Sequence, residues 1–148
     1  MKPVVVSVTS IQRNEQGQEL KMELVSEGKY YRKKDTQYII YAESEITGLE
    51  GVTTIIKVLD NGNVVLVRTG KMQQRQEYWP GRETHSWYDT PLGRLPVTLK
   101  TYVCRSDLSE GTGHIELGYD VTIDGFASNY NQLSIDVQED HTKWKRKS

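Results

Sequence analysis

Apolar and polar residues alternate along most of this chain, in some ten short runs between Val4 and Val137. The clearest is 115–123, Ile-Glu-Leu-Gly-Tyr-Asp-Val-Thr-Ile, apolar at every odd position with polar residues or glycine between. Successive side chains of a strand point to opposite sides of a sheet, so a period of two predicts one buried and one wet face. No run carries a convincing helical period. The pattern predicts strands over Val4–Ile11, Leu20–Arg32, Tyr38–Glu45, Val52–Leu59, Val64–Thr69, Met72–Trp79, Thr84–Thr90, Leu95–Cys104 and Ile115–Ile123, with a last strand ending in Leu133, Ile135 and Val137.

Turn chemistry fills the gaps. Asn61-Gly62 between two apolar runs is the strongest hairpin signal and predicts a type I′ turn, with Asp124-Gly125 a second tight turn. Gly28 falls inside the second run, where it predicts a bulge or bend. Ser106–Gly113 reads as the longest loop. About ten antiparallel strands with short connections predict an all-β, up-and-down meander, which loses its aggregation-prone edges by closing into a single barrel. The expected organisation is one barrel domain over residues 1–140, followed by a basic, flexible tail at 141–148.

Three consecutive strands break the apolar pattern. In the fifth, Arg68 follows Val64 and Leu66 on one face; in the sixth, Gln74 and Gln76 stand on one face and Arg75 and Glu77 on the other. The seventh offers His85, Trp87 and Asp89 on one face and Ser86 and Tyr88 on the other. A charged group inside a barrel costs several kcal/mol unless paired, so such residues should face one another, a ligand or water. One reading is a cavity in which Trp87 and Tyr88 contact a ligand, Arg68 and Arg75 grip an anionic or carbonyl group, and Glu77 and Asp89 orient the arginines. The other is a sixth strand wet on one side, with the aromatics filling the core and the charges pairing across neighbouring strands.

Charge and composition narrow the classes. The net charge of −1 argues against wholesale nucleic-acid binding. It is unevenly spread: eight basic and four acidic residues lie between Lys57 and Arg105, while Asp107–Asp140 holds eight acidic residues and no Lys or Arg. A basic middle segment leaves open an interaction module for an acidic partner or RNA. The single cysteine, Cys104, precludes an intrachain disulfide, and the N-terminus lacks the apolar core of a leader peptide, so a cytoplasmic location without membrane insertion is expected.

The order Arg68-Thr69-Gly70, Ser86-Trp87-Tyr88-Asp89-Thr90-Pro91-Leu92-Gly93 and Glu116-Leu117-Gly118-Tyr119 resembles the YwiB-type family of uncharacterised bacterial β-barrel proteins, over roughly Val4–Val137. The resemblance implies a lipocalin-like or calycin-like barrel of small cytosolic proteins, and it carries no catalytic residues. Barrels of that kind often hold small ligands, an argument from analogy.

Catalytic motifs are scarce. No Gly-x-Ser-x-Gly elbow is present, and His85, His114 and His141 lack the spacing of a zinc site. Cys104 reads as a strand residue on the face of Lys100 and Tyr102. Glu43 with Glu45, and Glu116 with Asp120, read as solubilising residues; Glu77 with Asp89 is the one pair that fits acid–base chemistry, with His85 as a further candidate. The sequence therefore predicts a non-enzymatic, small-molecule-binding barrel without cofactor, monomeric or homodimeric. Its ligand would be small, partly apolar, and anionic or carbonyl-bearing, and its site residues Arg68, Arg75, Glu77, Trp87, Tyr88 and Asp89.

Overall fold

The computed structural model describes residues 1–43, 49–91, 93–123 and 128–140. Ten strands run in order: β1 (Lys2–Arg13), β2 (Glu19–Lys33), β3 (Thr36–Ala42), β4 (Val52–Val58), β5 (Val64–Gly70), β6 (Gln73–Tyr78), β7 (Glu83–Thr90), β8 (Gly93–Ser109), β9 (Thr112–Ile123) and β10 (Ser128–Glu139). Each pairs antiparallel with its neighbours in sequence, and β10 returns to β1 in a ladder from Val4–Glu139 to Arg13–Tyr130. The sheet thus closes into an up-and-down barrel with no free edge. Asp124-Gly125, Glu45 and the 141–148 tail lie outside the described residues.

Alternation places Val4, Val6, Ile39, Ile56, Val64, Leu66, Ile115, Leu117 and Ile135 in the interior, all essentially removed from water. Burying side chains of this size stabilises by roughly 1.5–3 kcal/mol each. They form one contiguous core cluster that occupies one half of the barrel. That half is also plugged at its end by the tip of the β8–β9 hairpin. The Tyr30 hydroxyl donates to Gln37 Oε1 at 2.6 Å, and Gln37 Nε2 donates to the Leu108 carbonyl at 3.1 Å. Lys2 Nζ donates to the Glu110 carbonyl and to Glu139 Oε1, both at 2.8 Å.

The structure corrects four sequence expectations. Ser106–Gly113 is not a loop: β8 runs to Ser109 and β9 starts at Thr112, joined by a tight turn with Glu110 at φ 52° and Gly111 at φ 90°. Its glycines and polar residues resemble a loop, yet β9 is paired with β10 from Gly113 onward and Leu108 packs against the core. The Asn61-Gly62 hairpin forms, but only Gly62 takes a positive φ (89°), and its amide donates back to the Leu59 carbonyl at 3.0 Å. That geometry is a type I turn closed by a glycine bulge, not a type I′ turn.

Gly28 makes no bulge, since pairing continues through it on both sides, to Val4 and to Tyr41. A Cβ there would lie 2.8 Å from the Ile40 carbonyl oxygen and 3.0 Å from Val6, so the glycine lets β2 close against its neighbours. A bulge does occur in β8, where the register shifts between Thr101 and Val103. The extra residue reverses the facing of everything after it. Cys104 therefore leaves the face of Lys100 and Tyr102 and packs against the core, opposite Leu117.

Candidate functional site

One row of cross-strand neighbours defines the other half of the interior. Tyr41 lies opposite Thr54, Thr54 opposite Arg68, Arg68 opposite Gln74, and Gln74 opposite Tyr88, so five successive strands each contribute one polar residue at the same level. Directly opposed residues in a ladder have Cβ atoms about 4.5–5.5 Å apart, within side-chain hydrogen-bonding reach. Arg68 Nη1 donates to Gln74 Oε1 at 2.9 Å. Thr54 Oγ1 donates to Glu43 Oε1 at 3.0 Å, and the Tyr78 hydroxyl donates to Gln76 Oε1 at 2.5 Å.

Tyr41, Arg68, Gln74 and Tyr88 of this row line a cavity of about 250 Å³, whose opposite wall mixes Val8, Leu24, Val121 and Leu133 with Ser10, Gln12 and Asn131. Arg68 is the charged group on the row. Its Nε is shut off from water and has no acceptor, and among the described residues no carboxylate lies within ion-pairing distance of its guanidinium. Burial pushes the phenols of Tyr41, Tyr78 and Tyr119 above the ordinary tyrosine range. At Tyr41 the Glu43 charge adds to that rise, while Arg68 opposes it at all three. The phenols stay protonated, as neutral donors around a cation.

The six residues singled out in the sequence divide between two places. Arg68 and Tyr88 line the cavity. Arg75 and Glu77, expected to line the interior, instead point outward, because Gln74, Gln76 and Tyr78 take the inner face of β6. They form an ion pair at 3.2 Å. Trp87 and Asp89 are also on the outer face: Arg94 stacks 4.6 Å above the Trp87 ring and donates from Nε to Asp89 Oδ1 at 3.0 Å.

Arg75, Trp87, Asp89 and Arg94 surround an outer recess of about 330 Å³ on β5–β8. Arg75 and Arg94 there already face carboxylates, while Arg68 and Gln74 border this recess as well as the cavity. The same pairings separate Glu77 from Asp89. Asp89 sits opposite Gln73 and each carboxylate serves its own arginine, which removes the geometric basis for an acid–base pair.

Sequence reasoning missed Gln74, Gln76, Tyr41, Thr54 and Tyr119, and it misread Glu43, which is buried against Thr54 rather than solubilising. The available signal was phase: Glu43 shares the parity of Ile39 and Tyr41, and Gln74 and Gln76 share that of Met72 and Tyr78.

A larger groove of about 670 Å³ lies outside the plugged end, with Cys104, His114 and Glu116 on its wall. Burial raises the Cys104 thiol above its ordinary range, which suits a packed cysteine rather than a nucleophile. His114 is held between two carboxylates, Nδ1 to Asp136 and Nε2 to Glu116, each at 2.7 Å. Only the imidazolium can donate from both nitrogens. The hydrogen bonds to Asp136 and then Glu116 raise its pKa. Burial pushes Glu116 up, but bonds from Gln132, His114 and Ser134 outweigh it and hold the carboxyl below its ordinary range.

A raised histidine contributes stability that is complete below the unfolded pKa of about 6.5 and is lost as pH rises through the folded value. NMR titration should therefore find the His114 midpoint above about 6.5, moving down in Asp136→Asn. A midpoint at or below 6.5 in the wild type would contradict the two-carboxylate clasp. Among the described residues no cluster of three or more His, Cys, Asp or Glu could hold a metal, and no helix is long and apolar enough to cross a membrane.

Fold and interior together define a closed, ten-stranded antiparallel β-barrel with a small, partly polar lumen. The chain belongs to the family described as Domain of unknown function (DUF1934), which matches residues 6–135. It is similar to the uncharacterized beta-barrel protein YwiB of Bacillus subtilis (strain 168), with 29% identity over 133 residues covering 90% of this chain and 91% of that one. The crystal structure of the ywiB protein from Bacillus subtilis superposes with a TM-score of 0.83 at 27% identity, covering 94% of this chain and 92% of that one. The YwiB-type resemblance read from the motifs is thereby established.

Proposed function

We propose that this protein is a cytoplasmic, non-enzymatic binding protein that uses its barrel as lipocalin-like barrels do, holding one small, partly apolar ligand with an anionic or carbonyl group against Arg68. The observation that carries this reading is the under-bonded guanidinium on the wall of a hollow: Arg68 has one hydrogen bond to protein, a sealed Nε and a cavity in front of it. A cation taken partly out of water with no carboxylate in direct ion-pairing contact among the described residues is costly, and a ligand acceptor would recover that cost. The volume of about 250 Å³ falls below the roughly 300–1,000 Å³ of sites for drug-sized ligands, so the ligand has one ring or a short chain.

Native mass spectrometry of freshly purified protein, followed by NMR screening of small anions and carbonyl compounds, tests the proposal. A bound species whose addition shifts Tyr41, Gln74 and Tyr88 supports it. Shifts confined to Arg75, Trp87 and Arg94 would move binding to the outer recess, and the absence of any bound species or luminal shift would overturn the reading.

A further inference from the structure

Resting on the lumen as a binding site, we propose that its ligand is bipolar, presenting a second, neutral hydroxyl or amide group to Gln12 and Asn131 across the hollow from Arg68. In the ring of strands, β1 stands five places from β6, and β10 five places from β5. Arg68 on β5 and Gln74 on β6 therefore look across the lumen at β10 and β1. Those strands carry a second polar row: Gln12 lies opposite Asn131, and Asn131 opposite Tyr119 of β9. All three line the same cavity as Arg68 and Gln74.

The second row has bonding capacity to spare. Asn131 is only 9% exposed, and its Nδ2 donates one long bond, 3.3 Å, to the Asn129 carbonyl. Among the described residues, its Oδ1 and the Gln12 carboxamide make no side-chain hydrogen bond. Each carboxamide offers two N–H donors and an acceptor oxygen. An apolar end pressed against them would displace their water and return nothing, so a ligand polar at one end alone is penalised there. An ionised second group is penalised as well, because the described residues that β1, β9 and β10 bring to the cavity are all uncharged. A hydroxyl or amide both donates and accepts, which suits a pair of carboxamides. Val8, Leu24 and Leu133, also on the cavity wall, cover the apolar body that joins the two groups. Gln12 and Asn131 thus act as specificity-determining residues.

Calorimetry and NMR on the full chain test this assignment, with benzoate and benzamide as parents, their para-hydroxy derivatives, and terephthalate. In whichever pair binds, the hydroxylated probe should bind at least about fivefold more tightly than its parent, shifting the Gln12 and Asn131 side-chain amides as well as Tyr88. Terephthalate, whose second group is ionised, should bind no better than benzoate. Gln12→Met and Asn131→Leu leave Arg68 in place; each should bring the hydroxyl preference close to unity while the parent binds as well as before or better. Gln12 is only half-buried, so its variant reads the same quantity even where Asn131→Leu fails to fold. A parent matching its hydroxylated probe in the wild type, terephthalate matching para-hydroxybenzoate, or a preference that survives both substitutions would overturn the assignment and leave luminal binding standing. If neither pair binds, the assignment also fails; luminal binding fails with it when native mass spectrometry shows no co-purified ligand.

Discussion

Replacing Arg68 with methionine is expected to raise thermal stability while removing ligand binding in the lumen. Exchanging a half-buried, poorly compensated charge for an apolar side chain of similar length is often neutral or stabilising, here by about 1 kcal/mol. That corresponds to a rise in Tm of roughly 2–4 °C for a domain of this size. Affinity for an anionic luminal ligand should fall at least about thirtyfold, since losing the ionic partner of a desolvated anion costs about 2 kcal/mol or more. Opposite movement of stability and binding is the signature of a group kept for ligand rather than for folding. Differential scanning calorimetry alongside titration with the anion found by the NMR screen reads both quantities. A variant that loses stability and binds unchanged would mark Arg68 as a structural residue, its single bond to Gln74 being worth more than its desolvation.

Gly113→Ala is expected to damage the plugged end of the barrel. Gly113 has φ 154°, and a Cβ there would lie 1.9 Å from the Asp107 carbonyl oxygen and 2.8 Å from Leu108 Cα. These are backbone atoms of the paired strand, so no side chain can swing away to make room. A cost of at least about 3 kcal/mol is expected, a large share of the roughly 5–15 kcal/mol that holds a domain folded. Gly81→Ala supplies the comparison, because its φ of 77° is also positive but a Cβ there meets nothing. It should cost only about 1–2 kcal/mol. Urea melts of the two variants give the difference, and the Gln37 side-chain amide, which bonds to the Leu108 carbonyl, reports whether the hairpin tip has lifted. Equal destabilisation by the two substitutions would mean that the β8–β9 tip relaxes freely and does not close the barrel.

The two variants probe opposite halves of one design. The plugged half, with Ile39, Ile56, Leu66 and Ile115 fully buried, provides the folding energy. The hollow half can then hold a cation with one hydrogen bond. A closed barrel suits this division because each strand is hydrogen-bonded to both of its neighbours around the ring, so the wall does not depend on a solid centre for its shape. The weakest join is between β6 and β7, which pair only at Gln73–Asp89 and Gln74–Tyr88. That join adjoins both the lumen and the outer recess, which is why residues of these strands divide between the two.

The ten strands were legible because alternation is a local signal, and the identity of the broken strands β5–β7 was legible for the same reason. Local pattern also located Arg68 and Tyr88. Arg75, Glu77, Trp87 and Asp89 were drawn to the same place because a strand with polar residues on both faces gives no clue to which face is inside. In β6 that choice is made by Tyr78, fully buried, whose position commits Gln76 and Gln74 to the interior and Arg75 and Glu77 to solvent. In β8 the register shift after Thr101 made the choice again, against the simple period, and brought Cys104 inward.

Sequence by itself settled the strand content, the antiparallel order and the family, since each is encoded in short-range periodicity, turn residues and motifs. Tertiary structure alone aligned Tyr41, Thr54, Arg68, Gln74 and Tyr88 into one row. Register between strands is fixed by closure of the whole cylinder and by the packing of its aliphatic half, and a one-residue slip would send every member of that row to the opposite face.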